Sequence, residues 1–193
     1  MQLLTGWVPA AAELDRYLLA MEQLLDESIA AERARGTVPA EFFPLYQDLV
    51  RATAWQESCW RQFVAENGAV VPIRSSAGSV GLMQINQHVW RNIYDLEALQ
   101  NNVGYNARAG SEILSHYLVD YAIKRGEHTV NGNVDDLARA TYGVYNGGPR
   151  HLTRYRQGSR SAYLRSVDAG FWEKYQALRT TGASAVKQCY GGA

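Results

Sequence analysis

Glu57 is the residue in this chain best placed for acid–base chemistry. It lies in Ala54-Trp55-Gln56-Glu57-Ser58-Cys59-Trp60, near the end of an otherwise apolar helical stretch. Indole neighbours strip water from a carboxylate, so its pKa rises toward what a general acid needs at neutral pH. A lone glutamate sits more often on the wet face of an amphipathic helix. The residues around Glu57 therefore decide its meaning. Other chemistries lack their residues. There is no glycine-rich nucleotide loop, no His-Glu-x-x-His and no Cys-x-x-Cys. His88, His116, His128 and His151 never stand three or four apart, so neither a metal nor a cofactor is expected. Gly78-Ser79-Val80-Gly81 is one residue short of a nucleophile elbow. Ser184-Ala185-Val186-Lys187 spells a Ser-x-x-Lys without its companion motifs.

Three further segments follow Glu57-Ser58 in order. They are Ser75-Ser76-Ala77-Gly78-Ser79-Val80-Gly81-Leu82-Met83-Gln84, Asn106-Ala107-Arg108-Ala109-Gly110 and Ala140-Thr141-Tyr142-Gly143-Val144-Tyr145-Asn146-Gly147-Gly148-Pro149. This ordered set resembles the soluble lytic transglycosylase family, lysozyme-like enzymes that cut peptidoglycan and are related to goose-type lysozymes. The resemblance covers about half the chain. It implies that Glu57 protonates the oxygen leaving C1 of N-acetylmuramic acid. Glu57 then takes the proton of that sugar's 6-hydroxyl, and a 1,6-anhydro end forms without water. It further implies Ser75, or its neighbour Ser76, near the acetamido group, and Gln84 lining the groove. Gly78 and Gly81 would let backbone approach the sugar chain. The Tyr145 hydroxyl would reach toward the catalytic carboxyl, with Asn146 beside it. Tyr163 resembles a later family tyrosine, although Ser159 stands where the family often has an acid. Asn106 and Gly110 read as helix-packing residues and Met83 as core.

The elements that must hold these residues are helices almost throughout. Leu14, Leu18, Met21, Leu25 and Ile29 recur at three- and four-residue spacing and predict one amphipathic helix that Gly36 stops. A second helix is expected over about 45–63, a long loop over 66–79 in which Val70–Ile73 can pair briefly with another short extended stretch, and short helices over 80–85 and 88–93. A long helix is expected over 103–123, another ending at Asn146-Gly147, and a last one over about 160–178. Asp95-Leu96-Glu97 reads as a capped helix start, and Asn133 or Asp135 as a cap for the helix that follows. The fold class is thus mainly α, a lysozyme-like helical domain with an extra N-terminal helix and a long loop after the catalytic helix. The expected organisation is an N-terminal helical extension over 1–38, the catalytic domain over 39–180 and a flexible tail over 181–193.

Charge narrows the partners. Lys+Arg and Asp+Glu are 19 each among 193 residues, which gives no overall basic excess for nucleic acid. A run of arginines, Arg150, Arg154, Arg156, Arg160 and Arg165, reads as a solvated face or as a basic groove wall meeting peptidoglycan carboxylates. The expected partners are peptidoglycan glycan strands and an envelope or secretion-machinery protein met through the N-terminal helix. No nucleic acid and no membrane span are expected. The start lacks the basic residues of a secretory signal, and Glu13, Asp15 and Glu22 come too early for one. Action is expected in the periplasm or cell envelope of a bacterium, or after delivery there by a secretion system or phage.

Two rival functions remain open on sequence. A goose-type lysozyme-like hydrolase would need a second acid to activate water, with Glu66, Asp95 and Glu97 as candidates. A non-catalytic module binding peptidoglycan or polyanions would need no acid at all. In the oxidising compartment that the resemblance implies, Cys59 and Cys189 can pair and staple the tail to the back of the catalytic helix. The alternative is a buried free Cys59 and an exposed Cys189.

Overall fold

The computed structural model describes residues 4–159 and 161–191. A short 3₁₀ turn (Ala11–Glu13) leads into α1 (Leu14–Arg35), which Gly36 closes in the left-handed region at φ 67°. Only a residue that tolerates positive φ makes that C-terminal turn cheaply. α2 (Phe43–Ser58) carries Pro44 in its first turn. A hairpin follows, β1 (Phe63–Glu66) with β2 (Ala69–Pro72), and then a two-residue ladder, β3 (Ser79–Val80) with β4 (Ile85–Asn86). Next come α3 (Gln87–Trp90), α4 (Leu96–Asn101) and α5 (Val103–Tyr117), which passes into a π-helical turn over Leu118–Ile123. α6 (Glu127–Val130), α7 (Asp136–Gly147), α8 (Arg154–Gln157) and α9 (Ala162–Thr181) complete the helices, and a 3₁₀ segment (Gly182–Cys189) ends the described chain. No helix among the described residues is long and apolar enough to cross a membrane.

α2 is the axis of the core. α1, α5, α7 and α9 all pack against it. Its Leu49, Val50, Ala52 and Ala54 are fully buried, as is Trp60 just beyond it. Burying a leucine or valine so completely contributes about 1.5–3 kcal/mol. α1 spends its apolar stripe on the same core, where Met21, Leu25 and Ile29 are buried. The apolar stripe of α1 is therefore consumed internally, and its outer face is mostly charged, with Leu19 exposed on it.

Four expected segments change. The helix expected over 45–63 stops at Ser58, because Cys59 and Trp60 both adopt left-handed backbone, at φ 56° and 58°. Such conformations cost a side-chain-bearing residue roughly 1–2 kcal/mol each. Tertiary bonds hold them: Tyr190 Oη donates to Cys59 O at 2.8 Å, Tyr17 Oη donates to Trp60 O at 2.9 Å, and Cys59 is disulfide-bonded to Cys189. The loop expected over 66–79 contains β2, since Asn67 and Gly68, both at positive φ, form a two-residue hairpin turn. The helix expected over 80–85 is the β3–β4 turn. The tail expected to be flexible is pinned. It forms the 3₁₀ segment, buries Ala185 and Val186 and carries the disulfide; residues 192–193 lie outside the described residues.

Of the two expected caps, one holds. Asp95 Oδ1 accepts from the N–H groups of Glu97 and Ala98 and caps α4. The cap expected for α7 does not form: Asp135 stands at the N-cap but gives its carboxylate to Tyr175 and Arg179 on α9, and Asn133 accepts only from the Asp135 N–H.

Candidate active site

Glu57 stands in the last turn of α2, half-buried at the wall of a cleft of about 630 Å³. The cleft is lined by Ser75 and Ser76 from the loop before β3, Gln84 from the β3–β4 turn, and Val89 and Trp90 from α3. Tyr117 of α5 and Tyr145 and Asn146 of α7 line it too, as does Tyr163 of α9. Among the described residues, Glu57 is the one carboxylic acid on this lining. Burial pushes its pKa up from about 4.5 to about 7, and a hydrogen bond from Tyr142 opposes part of that rise. The carboxyl is thus poised to be protonated near neutral pH, as a general acid must be.

The hydroxyl that reaches Glu57 is not the one the sequence suggests. Tyr142 Oη donates to Glu57 Oε1 at 2.9 Å. Tyr145 Oη instead donates to Met83 O at 2.6 Å. The two tyrosines are three residues apart on α7, so they share a face and divide two tasks. One meets the carboxyl; the other holds the turn that carries Gln84. Tyr142 is itself fixed by a parallel stack on Phe171 of α9, with centroids 4.1 Å apart.

The turn between β3 and β4 is built by buried amides. Gln62 Oε1 accepts from Leu82 N at 2.7 Å, and its Nε2 donates to Leu99 O at 3.0 Å. Asn106 Oδ1 accepts from Met83 N at 2.8 Å, and its Nδ2 donates to Val80 O and Leu99 O. Ser58 Oγ donates to Leu82 O at 2.6 Å, tying the end of α2 directly to the same turn. Asn106 is therefore the packing residue expected, and Gly110 gives room to the buried Met83. Gln62 carries no signal in sequence, because these partners lie 20 and 37 residues away; Ser58 is marked there only as the residue that follows Glu57.

Gly81 does not line the cleft. It is buried at φ 75°, and a Cβ there would strike Asn106 and come within 2.7 Å of both side-chain atoms of the Gln62 amide. Glycine is required by the amide clamp and not by an approaching sugar. Gly78 likewise faces the His88 ring. Gly81→Ala is expected to lose about 2–4 kcal/mol, combining left-handed strain with overpacking. A drop in the denaturant midpoint checks this, and an unchanged midpoint refutes it. Gln84, at φ 47°, holds a strained conformation at the cleft wall, where its amide donates to Gly81 O at 2.9 Å. Ser75 Oγ accepts from Ser79 N and keeps its own hydrogen to donate. Tyr163 is 71% exposed at the rim.

Folding pairs two members of the basic run with acids. Arg154 is buried, bonded to Asp168 at 2.7 Å and to Asn146 Oδ1 at 3.1 Å. Arg156 pairs with Glu127 at 3.0 Å, and Arg165 donates to Ser159 O; Arg160 lies outside the described residues. These two ion pairs take Arg154 and Arg156 out of the run, because the neutralising acids lie elsewhere in the chain, while Arg150 stays exposed. Arg154 also fixes the Asn146 amide, so that its NH₂ group is the end left to donate to a ligand. Glu66 is exposed on the β1–β2 hairpin, and neither it, Asp95 nor Glu97 lines the cleft.

The family described as Transglycosylase SLT domain matches residues 40–165, about two thirds of the chain. No curated protein and no solved structure matches significantly.

Proposed function

From the premise that the chain belongs to the transglycosylase SLT domain family, whose members act on peptidoglycan in the cell envelope, we propose that it is a lytic transglycosylase working with one carboxyl group. It cleaves the β-1,4 bond between N-acetylmuramic acid and N-acetylglucosamine. Glu57 gives its proton to the glycosidic oxygen as the bond to C1 breaks. The muramic 6-hydroxyl attacks C1, and the Glu57 carboxylate takes the hydroxyl proton. The product is a 1,6-anhydro end, no water is consumed, and Glu57 returns to its protonated form.

The single observation that carries this reading is the solitary, desolvated Glu57 on the cleft wall. Inverting hydrolysis needs a second carboxylate to activate water, and the acids considered for that role stand outside the cleft. An acid that starts protonated at neutral pH suits the first step, and as a carboxylate it is a base of matching strength for the second. Ser75, Ser76, Gln84, Tyr145, Asn146 and Tyr163 are proposed to contact the glycan. The site of action is the bacterial envelope.

Mass spectrometry of digested peptidoglycan tests the proposal. Anhydromuramic ends are expected; reducing ends would make the protein a hydrolase, and intact glycan would make it a binder. The kcat/KM profile is expected to fall above about pH 7, as Glu57 loses the proton it must donate. A profile still rising at strongly alkaline pH would contradict an acid-first step.

A further inference from the structure

We propose that Tyr142 is a positioning residue of this reaction: by donating to Glu57 Oε1 it leaves Oε2 as the oxygen that carries the proton to substrate and takes it back. The inference rests on the function proposed above and goes beyond it. Tyr142 lies outside the set of residues that the sequence assigns to the site.

The geometry is specific. Tyr142 Oη lies 2.9 Å from Oε1, and no hydrogen bond among the described residues reaches Oε2. A phenol has one proton to give, and Glu57 has no N–H or fixed O–H to give it in return when ionised. Tyr142 must therefore be the donor to the carboxylate. When Glu57 is protonated, an Oε1 that already accepts is the carbonyl-like oxygen, and the acid proton belongs on Oε2. The same bond then serves both halves of the reaction. It leaves the proton on the free oxygen before transfer and steadies the carboxylate afterwards.

Tyr142 is held rigidly enough for this task. Its ring stacks on Phe171 at an interplanar angle of 3° while its hydroxyl meets Glu57. Tyr175 of α9 stands behind Phe171. Phe171 lies beyond residue 165, outside the segment that matches the family. The other ionisable groups near the pair are few. Tyr145 on α7 is kept neutral by burial and points its hydroxyl at Met83 O. Arg154 of α8 is neutralised by Asp168 of α9. His151, on the cleft lining, has its pKa lowered by burial and by Arg154. None of them can take the place of the Tyr142 hydroxyl on Oε1.

Tyr142→Phe keeps the stack on Phe171 and removes only the hydroxyl. Because the lost bond favoured the carboxylate, the Glu57 pKa should rise further, and the alkaline limb of kcat/KM should move to higher pH. kcat should fall about 10–100-fold, the range expected for a hydrogen bond to a charged group. KM should change little. Tyr145→Phe should lower turnover by loosening the turn that carries Gln84, while leaving the alkaline limb in place. NMR titration of the Glu57 carboxyl carbon in the substrate-free protein separates the two readings. An upward shift in Tyr142→Phe relative to the parent supports the positioning role, even if the parent cleaves no peptidoglycan and the proposed function fails. A Glu57 pKa identical in the two proteins overturns the positioning role, whatever the activity. So does a Tyr142→Phe enzyme with parental kcat and pH profile. Thermal unfolding of the variant near the parental temperature shows that the fold is intact.

Discussion

Glu57→Gln is expected to fold as the parent does and to release no anhydromuramic product above background. A positioned general acid or base contributes about 10²–10⁴-fold, and here one carboxyl fills both roles. The amide keeps the shape and still accepts from Tyr142, so loss of turnover reports on proton transfer alone. The same variant should be more stable than the parent at neutral pH and above. Glu57 has its folded-state pKa raised to about 7 from about 4.5. Below about pH 4.5 it is neutral folded or unfolded and costs nothing. Between the two values the unfolded chain gives up the proton while the folded one keeps it, so stability falls as pH rises. Above about 7 the full cost of the buried charge is present. Removing that charge should return about 1–3 kcal/mol at pH 8 and nothing at pH 4. Chemical denaturation at the two pH values measures it. Near-parental turnover would remove Glu57 from the mechanism, and a pH-independent stability difference would mean that burial does not perturb it.

The second large effect is expected from the Cys59–Cys189 disulfide. It closes a 130-residue separation, for which loop entropy gives up to about 4–5 kcal/mol. In a protein of this size that corresponds to a fall of roughly 10–15 °C in Tm for Cys189→Ser or after reduction. The loss should reach the active site, because Cys59 is the C-terminal cap of the helix that carries Glu57. Trp55 Nε1, which lies 3.1 Å from Cys189 Sγ, would change its environment as the tail departs. A red shift of tryptophan emission on reduction should therefore accompany the fall in Tm. Two titratable thiols in the unfolded, unreduced monomer would show that the bridge does not form.

Both predictions concern residues that sequence could single out but not place. Glu57 was legible because a carboxyl between two tryptophans is chemically unusual and three further segments follow in a set order. The apolar stripe of α1, its stop at Gly36 and the Asp95 cap were legible because helices and caps are written in residues three or four apart. The β1–β2 hairpin was also written locally: Val70–Ile73 marked an extended stretch able to pair, and Asn67-Gly68 is the two-residue turn that pairs it.

The remainder depends on contacts between residues distant in the chain. Nothing near Tyr142 distinguishes it from Tyr145; the direction of α7 against α2 decides which hydroxyl meets Glu57 and which meets Met83. Gly81 looks like a groove glycine until Gln62 and Asn106 converge on it. The arginine run looks unpaired until Asp168 and Glu127 arrive to pair with Arg154 and Arg156. The helix predicted to run on to residue 63 breaks at Ser58 because bonds from Tyr17, Tyr190 and Cys189 offset the cost of left-handed backbone at Cys59 and Trp60. Local patterns determine which residues form a helix, a cap or a turn, since those energies are set within a few residues. The partner of a buried polar atom is chosen only when the elements pack. At this site the sequence supplied the acid, and the tertiary structure decided what surrounds it.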